Sequence, residues 1–204
     1  MTPSPRFPLV RAAVMVIAAL SLASCGINSI PTAEENAKAK WADVQANYQR
    51  RADLVPNLVA TVKAAGKQEQ DTLTKVTEAR AKATSVQLSA EDLSNPEKVA
   101  QYQAAQSQLS TALRGFTSIA EAYPDLKTNS NYVTLMSQLE GTQNRITVAI
   151  RDYNEAVRGY TAQLRSFPDM IVAKLTYGAK PMTPFQAAAG AETAPDVGSM
   201  FESK

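Results

Sequence analysis

Between Pro31 and Pro168 apolar side chains recur every three to four residues in four successive blocks. That period constrains the fold most, because a stripe at helical spacing is buried most readily against another helix. Pro56, Pro96 and Pro124 separate the blocks. Proline removes a backbone donor and crowds the preceding turn, so each marks an expected boundary. In the first block Ala37, Trp41, Val44, Tyr48 and Ala52 keep the spacing, with Thr32 placed to cap ahead of Glu34 and Glu35. The second runs Leu58, Val62, Ala65, Thr72, Val76, Ala79, Ala83, Val86. The third runs Val99, Tyr102, Gln106, Leu109, Leu113, Phe116, Ala120, Tyr123, opened by Asn95-Pro96-Glu97, a capping residue with proline and an acid behind it. The fourth runs Tyr132, Leu135, Leu139, Thr142, Ile146, Ala149, Tyr153, Val157, Tyr160, Leu164, Phe167. No comparable apolar/polar alternation occurs, so the expectation is an all-α chain.

Helices over 33–53, 57–88, 97–122 and 131–167 would be about 32, 48, 39 and 56 Å long. A straight helix through Pro56 would instead reach roughly 84 Å and outrun any partner. Length matching therefore predicts a break at Asp53–Pro56, with Asp53 capping the second helix. Near-heptad seams on all four segments predict an antiparallel four-helix bundle with long helices, joined by short polar linkers at 88–97 and 123–131. Gly66, Gly115, Gly141 and Gly159 fall inside these helices at a cost of about 1 kcal/mol each against Ala, which is either offset by close helix contact at Gly141 or Gly159 or simply tolerated. From Gly178 onward Ala, Gly, Pro and Thr dominate without a periodic face, predicting a disordered tail. The expected organisation is thus a leader over 1–24, a short linker over 25–31, a helical bundle over 32–177 and a flexible tail over 178–204.

The 204 residues include no His and one Cys, with Lys+Arg 21 against Asp+Glu 19. Arg6 and Arg11 both precede Cys25 and no acid does, so the whole formal excess of +2 belongs to the leader. A neutral remainder releases no counterions from a polyphosphate, so no nucleic-acid partner is expected. Without His, imidazole acid/base catalysis, haem ligation, His-containing zinc sites and Glu-x-x-His di-iron centres are excluded. The glycines are scattered singly and form no phosphate loop. Asp152 and Glu155, flanked by Arg151 and Arg158, read as exposed helix ion pairs worth ~0.2–0.5 kcal/mol each. The chain is therefore expected to hold no metal or cofactor and not to be an enzyme.

The amino terminus carries two arginines and then an uncharged run from Ala12 to Ala23, the build of a secretory signal peptide. The run is too short to span a bilayer, which takes roughly 20 apolar residues. Its leading charges keep that end cytoplasmic and send the rest across. Leu22-Ala23-Ser24-Cys25 comes next and resembles the bacterial lipobox, in which lipid is added to the cysteine and cleavage occurs just before it. Lipidation at Cys25 also accounts for a lone cysteine in an exported chain. At ~0.8 kcal/mol per buried CH₂, one acyl chain anchors marginally and the three of a mature lipoprotein hold firmly. In the enterobacterial sorting rule an Asp after the cysteine retains the protein in the inner membrane. The residue here is Gly26, which favours the outer membrane if the host is a diderm.

Tyr48, Tyr102, Tyr132, Tyr153 and Tyr160 all fall on apolar seams, where a ring is buried only if its hydroxyl finds a partner. Beside them Arg50, Arg51, Asp53, Asn57, Glu140, Asn144, Arg145 and Asn154 gather near the expected break and along the last helix. Together with Tyr153 they are candidates for an interhelical polar network that sets register, or for a binding surface. Placement beside seam positions assigns Asp53 and Arg145 a structural role.

Several of these residues lie in longer runs: Arg50-Arg51-Ala52-Asp53-Leu54-Val55-Pro56-Asn57-Leu58-Val59, Tyr123-Pro124-Asp125-Leu126-Lys127, Leu139-Glu140-Gly141-Thr142-Gln143-Asn144-Arg145-Ile146, and Arg151-Asp152-Tyr153-Asn154-Glu155-Ala156-Val157 with Phe167-Pro168. In order and separation, from Trp41 to Phe185, the chain resembles the LemA family, as a lipoprotein-type member. The resemblance implies a membrane-anchored, largely helical bacterial protein and names no reaction. Two departures stand out. Many relatives carry a plain amino-terminal membrane helix where this chain has a lipobox, and the second Tyr-Asn step of the family is Tyr160-Thr161 here.

The expected function is that of a lipid-tethered, non-enzymatic interaction or scaffold protein of the cell envelope. Its helical domain would lie on the exported side, with an envelope protein as partner. The alternative is a binding module for a small apolar or lipidic ligand within the bundle.

Overall fold

The computed structural model describes residues 28–66 and 69–186; Cys25, the leader and the end of the tail lie outside that range. The described chain is all helical. Helix α1 spans Ser29–Ala64, α2 Gln70–Ser85, α3 Pro96–Ala122, α4 Pro124–Lys127, α5 Ser130–Arg165 and α6 Asp169–Val172, which runs into a π-turn at Ala173–Tyr177. A 3-10 turn at Glu91–Ser94 fills the first polar linker and α4 fills the second. Among the described residues no helix is long and apolar enough to cross a membrane.

The expected break at Asp53–Pro56 does not occur. Pro56 lies inside α1, exposed on its outer side, and the helix continues to Ala64. A proline here deprives the carbonyl of Ala52 of its usual donor. The Nε–H of Arg80 on α2 takes that place at 2.9 Å, so the acceptor next to the core is satisfied from a second helix. Asp53 therefore caps nothing, and Thr32 does not cap either, because α1 begins at Ser29 and the Thr32 hydroxyl donates to the carbonyl of Asn28. The stop comes at Gly66, whose φ of +69° is the left-handed conformation that ends helices and that glycine alone adopts without strain. The result still obeys length matching: α1 and α5 are each 36 residues, about 54 Å. Asn95 caps α3 as expected, its side chain accepting from the amides of Glu97 and Lys98, and Asn129 caps α5 by accepting from Tyr132.

Contacts of α1 with α5 and the start of α6 run in opposite sequence order: Ser29 meets Asp169 of α6, Trp41 meets Tyr153 and Arg51 meets Gln143. Ala52 meets Arg80 while Gln45 meets Leu88, and Gln106 meets Ala83 while Gly115 meets Thr72. Close helix approach falls at Gly115, where a Cβ would lie 2.7 Å from Thr72 Cγ2, and not at Gly141 or Gly159, where one would meet nothing nearer than 3.9 Å.

The interior divides into two apolar clusters. One gathers Ile30, Trp41, Tyr48, Tyr102, Tyr153 and Tyr160 among others; the second gathers Leu58, Val62, Leu73, Leu109, Phe116 and Leu139. The seams are buried nearly throughout, and all five seam tyrosines are in the core. Phe167 is the exception at 79% exposed, because α5 ends at Arg165 ahead of Pro168. The first nine residues of the expected tail depart from expectation as well, the rest lying outside the described residues. Residues 178–186 lie against the helices as an extended strap, with Met182 and Phe185 buried.

Candidate functional site

Arg51 is 1% exposed and sits between the two clusters. Its fork makes four hydrogen bonds. Nη1 donates to Ser110 Oγ at 2.5 Å and to Gln143 Oε1 at 3.2 Å, and Nη2 donates to the carbonyl of Gln106 at 3.0 Å and to its Oε1 at 2.9 Å. Gln106 Nε2 passes the chain on to the carbonyl of Ala83 at 3.1 Å. One guanidinium thus joins α1 to α3 and α5 directly and to α2 through an amide. Its Cζ lies 4.9 Å from the centroid of the Tyr48 ring, so the ring's negative face takes part of the positive charge. No carboxylate enters this set of partners. Burial lowers the Arg51 pKa, but from a value so far above neutrality that the group stays charged. Burial likewise raises the Tyr48 and Tyr102 hydroxyls, which stay neutral beside it. Arg51 Nε is buried without a partner.

Toward the start of α1 the core becomes a stack of rings. Trp41 lies 5.3 Å from Tyr102, 5.7 Å from Tyr153 and 5.6 Å from Phe185, and Tyr153 meets Phe185 edge-on at 5.7 Å. Phe185 comes from the strap, which is held through its main chain. Asn154 Oδ1 accepts from the Phe185 amide at 2.8 Å while Asn154 Nδ2 donates to the Phe185 carbonyl at 2.9 Å. The Tyr153 hydroxyl donates to the carbonyl of Thr183 at 3.0 Å, and the Thr183 amide donates to the carbonyl of Leu93 at 2.7 Å. Burial raises the Tyr153 hydroxyl, which stays a donor across the physiological range.

Residues 40–198 match the model of the LemA family. The chain belongs to the LemA family. A search of curated proteins finds no match. The match begins beside Trp41, includes both the Arg51 partners and the strap, and extends beyond the described residues.

Of the nine polar residues nominated in this LemA chain, the structure draws three into contacts between elements: Arg51, Tyr153 and Asn154. Arg50, Asp53, Asn57, Glu140, Asn144 and Arg145 stand exposed. They form no buried network, because their helix faces turn outward; Asp53 accepts from Gln49 on its own helix. The structural role assigned to Asp53 and Arg145 is thereby corrected. Of the expected exposed ion pairs around Asp152 and Glu155, the structure shows one, between the adjacent residues Arg151 and Asp152 at 3.0 Å. Sequence reasoning misses Ser110, Gln143 and the strap's main chain. Gln106 carries a signal, a polar residue on an apolar seam, whereas Gln143 and Ser110 lie off the seams. Cys25 lies outside the described residues. Among those residues no group of three acidic or sulfur side chains is placed to hold a metal. The space between the helices is filled by Trp41, Phe116, Tyr153 and Tyr160. An open cleft of about 690 Å³ is lined by Gln45, Tyr48, Gln49, Gln87, Asp92, Tyr102 and Gln106.

Proposed function

We propose that this LemA chain is a lipid-tethered, non-enzymatic interaction protein of the bacterial envelope. In this reading an antiparallel four-helix bundle, held to the membrane through Cys25, offers its flank to another envelope protein. The division of the polar side chains carries the reading. Inside, Arg51 and Gln106 bind other helices, which stiffens the bundle. Outside, Glu140, Asn144 and Arg145 on α5 and Arg50, Asp53 and Asn57 on α1 are exposed at mid-length. Polar groups of that kind steer association with a complementary surface. The opposed order of contacts between α1 and α5, α1 and α2, and α2 and α3 supports the bundle topology. The lipobox Leu22-Ala23-Ser24-Cys25 supports the tether, and Gly26 favours the outer membrane in a diderm host.

The test is crosslinking in living cells from a photoreactive residue placed at Glu140 or Asn144, followed by mass spectrometry. The expected result is a discrete adduct with one protein, weakened by Arg145→Glu. Absence of any protein adduct from either position, with Cys25 correctly processed, overturns the interaction reading. Retention of Met1 in the mature wild-type protein overturns the tether.

A further inference from the structure

Among the described residues, the exposed large apolar side chains are concentrated at one end. Phe167 and Leu175 are 79% and 81% exposed, and Met170, Ile171 and Tyr177 are also exposed. All five fall within residues 167–177, whereas Val133 and Val148 are the other exposed large hydrophobics among the described residues. Scattered single apolar residues are ordinary, but a cluster marks a surface that meets something.

Within residues 165–180 the exposed charges are all basic. Arg165, Lys174 and Lys180 are exposed, and Arg165 and Lys174 line a cleft of about 400 Å³ beside Leu164 and Met170. The one acid in the segment, Asp169, is half-buried and accepts from Ser29 Oγ at 2.9 Å. That bond fixes the position of the cluster relative to the chain. It lies against the first turn of α1, and Cys25 is four residues ahead of Ser29, so at most about 14 Å of extended backbone separates them.

We propose that the 165–180 end is a membrane-docking face. Phe167, Met170, Ile171, Leu175 and Tyr177 enter the headgroup and upper acyl region of an anionic bilayer, while Arg165, Lys174 and Lys180 meet lipid phosphates. Aromatic and aliphatic side chains ringed by Lys and Arg suit that interface, where long cationic stems reach back to the polar layer. The inference deepens the tether reading and rests on it for orientation. Acyl chains on Cys25 and the docking face share one end, so the bundle stands on two supports where a lipid alone would leave it swinging on a leash.

Two measurements test it. In the first, the chain from residue 25 onward carrying Cys25→Ser is floated with vesicles of phosphatidylcholine containing 30% phosphatidylglycerol. The leader is left off because its apolar run would itself bind lipid. Wild-type sequence is expected to float, with partitioning reduced about tenfold or more by Phe167→Ser/Leu175→Ser and several-fold by Lys174→Glu or by high salt. Equal partitioning of wild type and the double variant, with circular dichroism unchanged, overturns the proposal. So does a patch that changes oligomeric state on gel filtration while leaving flotation unaffected. In the second, the lipidated mature protein is reconstituted with a spin label at Leu175→Cys. Oxygen accessibility typical of the bilayer interface is expected, and full exposure to aqueous quencher overturns the docking face. An unlipidated Cys25 in the mass spectrum, with flotation intact, overturns the tether reading alone.

Discussion

On the side of Arg51 that holds the start of α1, the core is built from Trp41, Tyr48, Tyr102, Tyr153, Tyr160 and Phe185. On the other side aliphatic side chains predominate, Leu54, Leu58, Val62, Leu73, Val76, Leu109, Leu113 and Leu139, with Phe116 and Tyr132 among them. This mostly aliphatic half closes by seam packing, since branched side chains interdigitate without needing polar partners, and its buried tyrosine, Tyr132, donates to the carbonyl of Phe116 on α3. The aromatic half carries hydroxyls and an indole, which call for acceptors when buried. Tyr153 finds one in the strap, and the strap is absent from the other half. Trp41 Nε1 finds none, so ring packing carries that side chain. Between the halves lies a cation whose two Nη atoms donate to neutral oxygens. A buried charge so placed fixes register, because sliding α1 by one turn would leave both the guanidinium and its acceptors unpaired.

Arg51→Ala tests that divider and should have the largest effect. It opens a cavity and orphans the buried side-chain oxygen Oε1 of Gln106, so urea unfolding is expected to show a loss of ~3–5 kcal/mol. A loss below ~1 kcal/mol would break the comparison, making the two halves one continuous core. Phe185→Ala should act on the aromatic half only. Full enclosure of a Phe is worth ~3–5 kcal/mol, but the strap can release locally, so the loss should fall below that range. The chain's single tryptophan, Trp41, packs on Phe185 and reports the release. Its emission should shift to longer wavelength, and an unchanged spectrum would mean that the strap does not seal this core.

The aliphatic half has its own dependence, at Arg80. Removing the Nε–H of Arg80 leaves the Ala52 carbonyl without a donor, and Arg80→Ala should cost ~1–3 kcal/mol. In a Pro56→Ala background the backbone supplies an N–H again, so the same substitution should cost much less. Double-mutant unfolding measures the difference, and equal costs in the two backgrounds would refute the compensation.

That pairing also shows where sequence reading stops. The seam positions are legible because a period of 3.6 is local, and length matching is sound. It points to Pro56, the stronger breaker by propensity, whereas Gly66 carries the stop. Nothing near Pro56 in the sequence announces Arg80, which reaches it only after the chain turns back. The strap is illegible for a related reason: it is held by main-chain bonds and one ring, which leave no periodic trace. Asn154 and Arg51 are recognisable as polar groups beside seams, but so are six residues that face outward, because adjacency to a seam does not say on which side a long side chain lies.

Those outward residues give the smallest expected effect and decide between structure and recognition. Asp53 and Arg145 are exposed, and a surface substitution away from caps and networks changes stability by about 0.5 kcal/mol or less in either direction. Asp53→Ala loses a hydrogen bond from Gln49 on the same exposed face, where water replaces it. Arg145→Ala removes a cation from the outer face of α5 without opening the core, since the buried neighbour is Ile146. Both variants should therefore unfold within ~0.5 kcal/mol of wild type, in contrast to Arg51→Ala. If Arg145→Ala unfolded ~2 kcal/mol more easily, α5 would be packed through that face and the flank could not be offered to a partner. Unchanged stability with a weakened crosslink from Asn144 places Arg145 on the docking surface, where a lost charge slows association and leaves the bundle intact.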